Sequence, residues 1–181
     1  ANLSVKAIEG VASYAYLAGM LGDKETEAKY MDKAREMAAI WKDTAFDGDH
    51  YRLTFDKPGT WSQKYNMVWD RMLGFNVFDP AIMETEIPFY LTKQNRYGLP
   101  LDNRRNYTKT DWIMWTATMA QDQKTFEAFI NPVWDYMNET SERVPMSDWI
   151  HTDKDYKAGF QARSVVGGYF IKMLDARLKT E

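Results

Sequence analysis

Hydrophobic and polar positions recur along this chain with a helical period, and two kinds of helix take turns. Residues 3–21 are apolar nearly all round, with only Lys6 and Glu9 charged. That pattern predicts a first helix buried on most sides, with Asn2 as its N-cap and Gly22 just past its end. Residues 23–44 predict a second, highly charged helix, whose Tyr30, Met31, Ala34, Met37, Ala38 and Trp41 form one apolar stripe. The alternation then repeats. Residues 61–73 are mostly apolar and aromatic, whereas 81–95 are amphipathic, opened by Asp79-Pro80 and expected to kink or split at Pro88. Residues 111–119 are again almost wholly apolar, and 122–138 are mixed, with a break expected at Pro132. A seventh helix over 163–178 opens with Val165-Val166-Gly167-Gly168-Tyr169-Phe170. Each glycine there costs about 1 kcal/mol against alanine, which makes sense where a neighbouring backbone comes close.

Odd helices thus read as buried and even helices as amphipathic. Two concentric layers account for this, whereas a simple four-helix bundle would make every helix amphipathic. The fold class is therefore all-α, a partial (α/α) toroid of helical hairpins with about seven main helices, in a single domain over 1–181. Odd-to-even connections are short, and the even-to-odd connections, near 45–60, 96–110 and 138–162, are long. In an up-down arrangement the long ones share a face, where functional loops are expected. The first of them carries His50-Tyr51-Arg52-Leu53-Thr54-Phe55, whose alternation suggests a short strand or hairpin arm. Three hairpins and an unpaired helix do not close a ring. With its opening Ala-Asn-Leu-Ser, the chain reads as the C-terminal half of a larger toroid, with an exposed apolar flank and partners upstream.

Composition narrows the chemistry. Seven Trp, eleven Tyr and nine Phe can fill a helical core or line a small-molecule pocket. A net charge of −3 with no basic stripe argues against nucleic acid, and no apolar run is long enough for a membrane helix. The absence of cysteine excludes disulfides and thiolate metal sites. His50 and His151 lie far apart in loop-like segments, which argues against a His-based metal site or a Ser-His-Asp triad. No cofactor is expected.

The N-ends of the predicted inner helices collect the candidate residues: Trp61, Ser62 and Tyr65; Tyr107, Lys109, Asp111 and Trp112; Arg163 and Ser164. Helix N-termini favour anions, so a substrate carboxylate held near Lys109 and Arg163 is physically reasonable. Ser62, Thr110 and Asp111 also suit plain N-capping. Asp70-Arg71 reads as a structural, buried ion pair. Asp102 reaches the same face from the second long loop, whereas Asp148 and His151 in the third read as solvated loop residues.

Four ordered motifs carry a resemblance. They are Trp61-Ser62-x-x-Tyr65-Asn66, Tyr97-Gly98-x-Pro100-Leu101-Asp102, Thr108-Lys109-x-Asp111-Trp112-x-x-Trp115-Thr116-Ala117, and Ala162-Arg163-x-Val165-Val166-Gly167-Gly168. In order and spacing they resemble the glutaminase A-like family over most of the chain. The resemblance implies a secreted or periplasmic multidomain protein with a toroid like that of six-hairpin glycosidases, and hydrolysis of L-glutamine to L-glutamate and ammonia. On chemical grounds Asp111 suits the acid or base and Lys109 the cation near developing charge. Arg163 suits the substrate carboxylate, with Trp61, Tyr65, Trp112 and Asp102 shaping the pocket and Ser62 an outside candidate nucleophile. A glycoside hydrolase, with Asp111 as one of two carboxylates, is the alternative enzyme. A non-catalytic binding module is the third reading. The chain alone is expected to show little or no activity.

Overall fold

In the computed structural model, which describes residues 1–179, the first apolar run folds as α1, Asn2–Met20. It turns at Gly22 (φ +86°), a left-handed position that favours glycine, into α2, Lys24–Ala45. Asp23 caps α2 by accepting the Thr26 N–H at 3.0 Å. Ala1, not Asn2, occupies the N-cap position of α1, so that expectation is corrected. Val5, Ile8, Ala12, Ala15 and Gly19 give α1 its buried stripe, and Ala34, Ala38, Trp41 and Ala45 give α2 its own. Small residues predominate on both stripes, which lets two helices pack closely. Trp41 stacks on Tyr51 with ring centroids 5.3 Å apart and donates to the Ala1 carbonyl at 3.0 Å. Glu9 is buried with the α1 stripe, but large apolar side chains elsewhere on α1 are exposed, including Leu3, Tyr14, Leu17 and Met20. The apolar flank expected from the sequence is therefore present, but α1 is buried along one stripe and not on most sides.

The chain divides into two compact units, Ala1–Thr85 and Glu86 onward. Residues 61–64 of the first unit are not helical, which corrects the third helix. A 3-10 turn, Tyr65–Met67, leads into a short α3, Val68–Met72. Tertiary burial overrides helix propensity here: Trp61, Ser62, Gln63 and Lys64 are all buried. The Lys64 ammonium donates to the carbonyls of Tyr51 and Ser62, at 2.8 and 2.7 Å. In the preceding loop the expected arm is reduced to one antiparallel bridge, Phe46↔Tyr51, and Asp47 clasps the rest, its carboxylate accepting from Arg52 (2.9 and 2.7 Å) and from the Gly59 N–H (2.5 Å). The Asp70 carboxylate turns to the backbone, accepting the Val77 and Phe78 N–H groups at 3.0 and 3.2 Å.

α4, Ala81–Leu91, begins as expected behind Asp79, whose side chain accepts the Ala81 N–H at 2.9 Å. It ends four residues early, and Asn95 instead bridges Gly98. Pro88 does not split α4, nor does Pro132 break α6, Gln123–Glu139. An internal proline costs about 3 kcal/mol. Each large side chain on a buried stripe gains about 1.5–3 kcal/mol, and Phe129, Val133 and Tyr136 flank Pro132 on one face. Burial wins.

In the second unit a strand β1, Tyr107–Lys109, runs directly into α5, Thr110–Thr118. It pairs antiparallel with β2, Trp149–His151, in the register Tyr107↔His151 and Lys109↔Trp149. The second and third long loops are thereby joined by a sheet that the helical reading did not predict. Seven of the nine residues of α5 are buried, as its apolar run implied. The seventh helix is corrected: Ser164–Phe170 is a 3-10 segment with no buried residue, and α7 proper is Ile171–Leu178. Two β-branched valines followed by two glycines are poor α-helix formers, which accounts for the tighter, shorter turn.

Gly98 marks a tight approach in this unit. Its φ is +121°, and a Cβ there would lie 3.0 Å from Ile113 Cδ1. Gly98→Ala is expected to lower stability by about 1–3 kcal/mol through strain and overpacking. Denaturant unfolding checks this, and an unchanged midpoint would contradict it.

Candidate active site

The pairing of β1 with β2 builds the site. Thr110, the first residue of α5, donates its N–H to the Asp148 carbonyl at 2.8 Å, carrying the ladder one residue further. Asp111 is thus fixed in the first turn of α5, and Asp148 is fixed beside it. Tyr169, from the 3-10 segment, donates its hydroxyl to Thr110 Oγ1 at 2.7 Å. Gly168 packs tightly against this turn. A Cβ on it would lie 2.9 Å from Asp111 Cβ, 3.0 Å from Trp115 Nε1 and 3.6 Å from Asp111 Cα, so the close approach expected of both glycines holds at Gly168, whereas Gly167 has open space around it.

Lys109 and Arg163 converge on one carboxylate. Lys109 Nζ donates to Asp148 Oδ2 at 2.8 Å, and Arg163 donates from Nε to Oδ1 at 3.1 Å and from Nη2 to Oδ2. Aromatic rings enclose the cations: Lys109 Nζ lies 4.7 Å from the Trp149 ring centre and 5.4 Å from that of Phe160. The Arg163 guanidinium lies 4.7 Å over the Phe160 ring. Such cation–π contacts hold a cation without spending its hydrogen bonds. One N–H of Lys109 and one edge of Arg163 serve Asp148. The remaining N–H groups of Lys109 and Nη1 of Arg163 have no other hydrogen-bond partner among the described residues.

The two carboxylates are driven apart in acidity. Burial pushes the Asp111 carboxyl up to about 6, helped by the negative charge of Asp148; N–H groups of its own helical turn and Lys109 pull back only partly. Its Oδ1 is buried without a hydrogen-bond partner. Burial acts on Asp148 in the same direction, but Arg163 and Lys109 together outweigh it and hold Asp148 below the usual carboxylate range. Tyr169 is half-buried, and the loss of water around its hydroxyl likewise pushes the phenol well up, so it stays a neutral donor. One carboxyl is raised to about 6 while its neighbour is held below the usual range. That separation is the arrangement that assigns acid–base roles.

Lys109, Asp111 and Arg163, selected from the sequence, are therefore brought together. Trp112 follows Asp111 on α5 and is half-buried. Asp102 is held within its own loop, accepting from the Arg104 N–H at 2.9 Å and from the Arg104 side chain at 3.0 and 2.6 Å. Trp61, Ser62 and Tyr65 belong to the first unit; none of them caps a helix, because the helical turn starts only at Tyr65. Asp148 is the residue that the sequence reading passed over. It was expected in solvent and is fully buried. Its only sequence signal was indirect, in that two cations placed at one site require a counter-charge. No cluster of His, Asp or Glu suited to a metal ion occurs among the described residues.

A family model described as the glutaminase A six helical-hairpin domain matches residues 1–173. The chain is similar to Glutaminase A of Aspergillus oryzae, 30% identical over 180 residues, which cover 96% of the chain and 26% of that protein. It is also similar to a protein of Arthroderma benhamiae named as a probable glutaminase, 27% identical over 201 residues, covering 93% of the chain and 23% of that protein. The chain thus spans about a quarter of the length of these relatives.

Proposed function

This chain belongs to the glutaminase A six helical-hairpin family, and we propose that it supplies acid–base and cationic groups for hydrolysis of the side-chain amide of L-glutamine. The observation that carries the reading is the pair of cations, Lys109 and Arg163, gathered beside a carboxyl that titrates near 6. The outward edge of Arg163 suits the α-carboxylate of an amino acid. In the reaction, ionised Asp111 takes a proton from a water molecule as the water oxygen attacks the amide carbon. The spare N–H groups of Lys109 steady the oxyanion. Asp111 then returns the proton to the departing nitrogen, the C–N bond breaks, and glutamate and ammonia leave. A glycosidase needs a second carboxylate facing the bond to be cleaved. Asp148 is buried and engaged by two cations, so it suits that task poorly.

The longer protein to which such a chain belongs is expected to complete the pocket. In this reading the exposed flank of α1 is covered by its other helices, and the reaction takes place outside the cytosol. Ammonia release from L-glutamine by the longer protein, assayed beside the 181-residue chain, tests this. Release by the longer protein and little by the chain is the expected result. Turnover of an oligosaccharide without ammonia release would reverse the assignment.

A further inference from the structure

We propose that Asp148 is the positioning residue of this site, holding Lys109, Arg163 and the first turn of α5 in register and setting the charge that Asp111 faces. The inference rests on the site as read above, but its test does not require turnover. Two separate groups of Asp148 take part. The carboxylate accepts from Lys109 Nζ at 2.8 Å and from two nitrogens of Arg163, one at 3.1 Å. The main-chain carbonyl accepts the Thr110 N–H at 2.8 Å and the Thr110 hydroxyl at 3.3 Å. Cations, helix start and the residue after that start are thereby tied to one buried residue.

The electrostatic consequence follows from counting charges. With Asp148 ionised, Lys109, Arg163 and Asp148 together present one net positive charge to Asp111; without it they present two. Lys109 on β1, Asp148 before β2, and Arg163 and Tyr169 at the 3-10 segment are the groups that interact with Asp111 in the second unit. The charges of α6, Lys124, Glu127, Asp135 and Glu139, are exposed. On α7, Asp175 interacts with Lys172 and Lys179 at 3.9 and 2.9 Å; Arg177 is exposed. Removing the charge of Asp148 therefore frees two cations and removes a repulsion, both of which favour ionised Asp111.

The test is a carbon-13 carboxyl titration of Asp111 by NMR in the full 181-residue chain, its resonance identified through Asp111→Asn. In Asp148→Asn the midpoint is expected to fall by at least about one pH unit from its position near 6. Arg163→Gln, which keeps Asp148 and removes one cation, is expected to raise it. A folded Asp148→Asn protein with an unmoved midpoint overturns the proposal. If that variant does not fold, an unmoved midpoint in Arg163→Gln overturns it instead. Absence of glutaminase activity with both shifts present would count against the proposed reaction and leave the role of Asp148 standing.

Discussion

Asp111→Asn is expected to lower kcat of the complete enzyme by about 10²–10⁴-fold, the usual contribution of a positioned acid or base. The substitution keeps the shape of the side chain, so the loss is not one of packing. In the proposed reaction kcat/KM should fall as pH drops below about 6, because that reading requires Asp111 ionised to accept the water proton. Asn removes that limb together with the rate. Stability should move the other way. A carboxyl raised from 3.8 to about 6 in the fold keeps its proton while the unfolded chain loses it, so folding stability declines across that window and stays reduced above it. A neutral Asn avoids this, and the variant should be more stable at pH 8 by about 1–3 kcal/mol. A residue that served only as a helix cap would lose stability on substitution. Unchanged kcat, or a lower unfolding midpoint at pH 8, would contradict the assignment.

Much of this arrangement is legible in sequence where a periodic stripe meets a single neighbour. The α1–α2 hairpin shows it: Ala34, Ala38 and Trp41 recur at helical spacing and are buried as that spacing implies. The same logic fails at residues 61–64, where Lys64 is buried and bonded to the carbonyls of Ser62, two residues away, and Tyr51, thirteen away. Nothing local announces a buried lysine. It fails again at the start of α5, because strands of three residues carry too short an alternation to stand out from the apolar helix that follows. The sheet builds the candidate site all the same, since the register Lys109↔Trp149 is what sets Asp148 next to Thr110. Lys109, Asp111 and Arg163 were visible because each lies at the start of a predicted helix. Asp148 was not, because its position is fixed by partners distant in sequence and not by any periodicity.

Glu9 should make the stability of this chain strongly pH-dependent. It lies on the buried stripe of α1, only 7% exposed, and its Oε1 is buried without a hydrogen-bond partner. Burial pushes its carboxyl up to about 8 and the nearby Asp70 charge adds to this, while the Asp70 N–H, which it accepts, pulls back only partly. Asp70 itself is raised by burial, against the Val77 and Phe78 N–H groups that favour its charge. The unfolded chain releases the Glu9 proton near 4.5, whereas the folded chain holds it to about 8. Between those values the unfolded state binds fewer protons than the folded one, so stability falls as pH rises. At about 1.4 kcal/mol per pH unit the loss amounts to roughly 3–5 kcal/mol, a large share of what a domain of this size possesses. Asp111 contributes in the same direction but only up to about 6. The difference between two proteins is therefore the clean measure. Glu9→Gln keeps the size and neutrality of the protonated acid, so it should match the unaltered chain near pH 4.5. It should then unfold at progressively higher denaturant concentration than the unaltered chain as pH is raised to 8. Parallel stability curves for the two proteins across that range would show that Glu9 is ionised in the folded state at no cost, and that the buried stripe of α1 tolerates its charge.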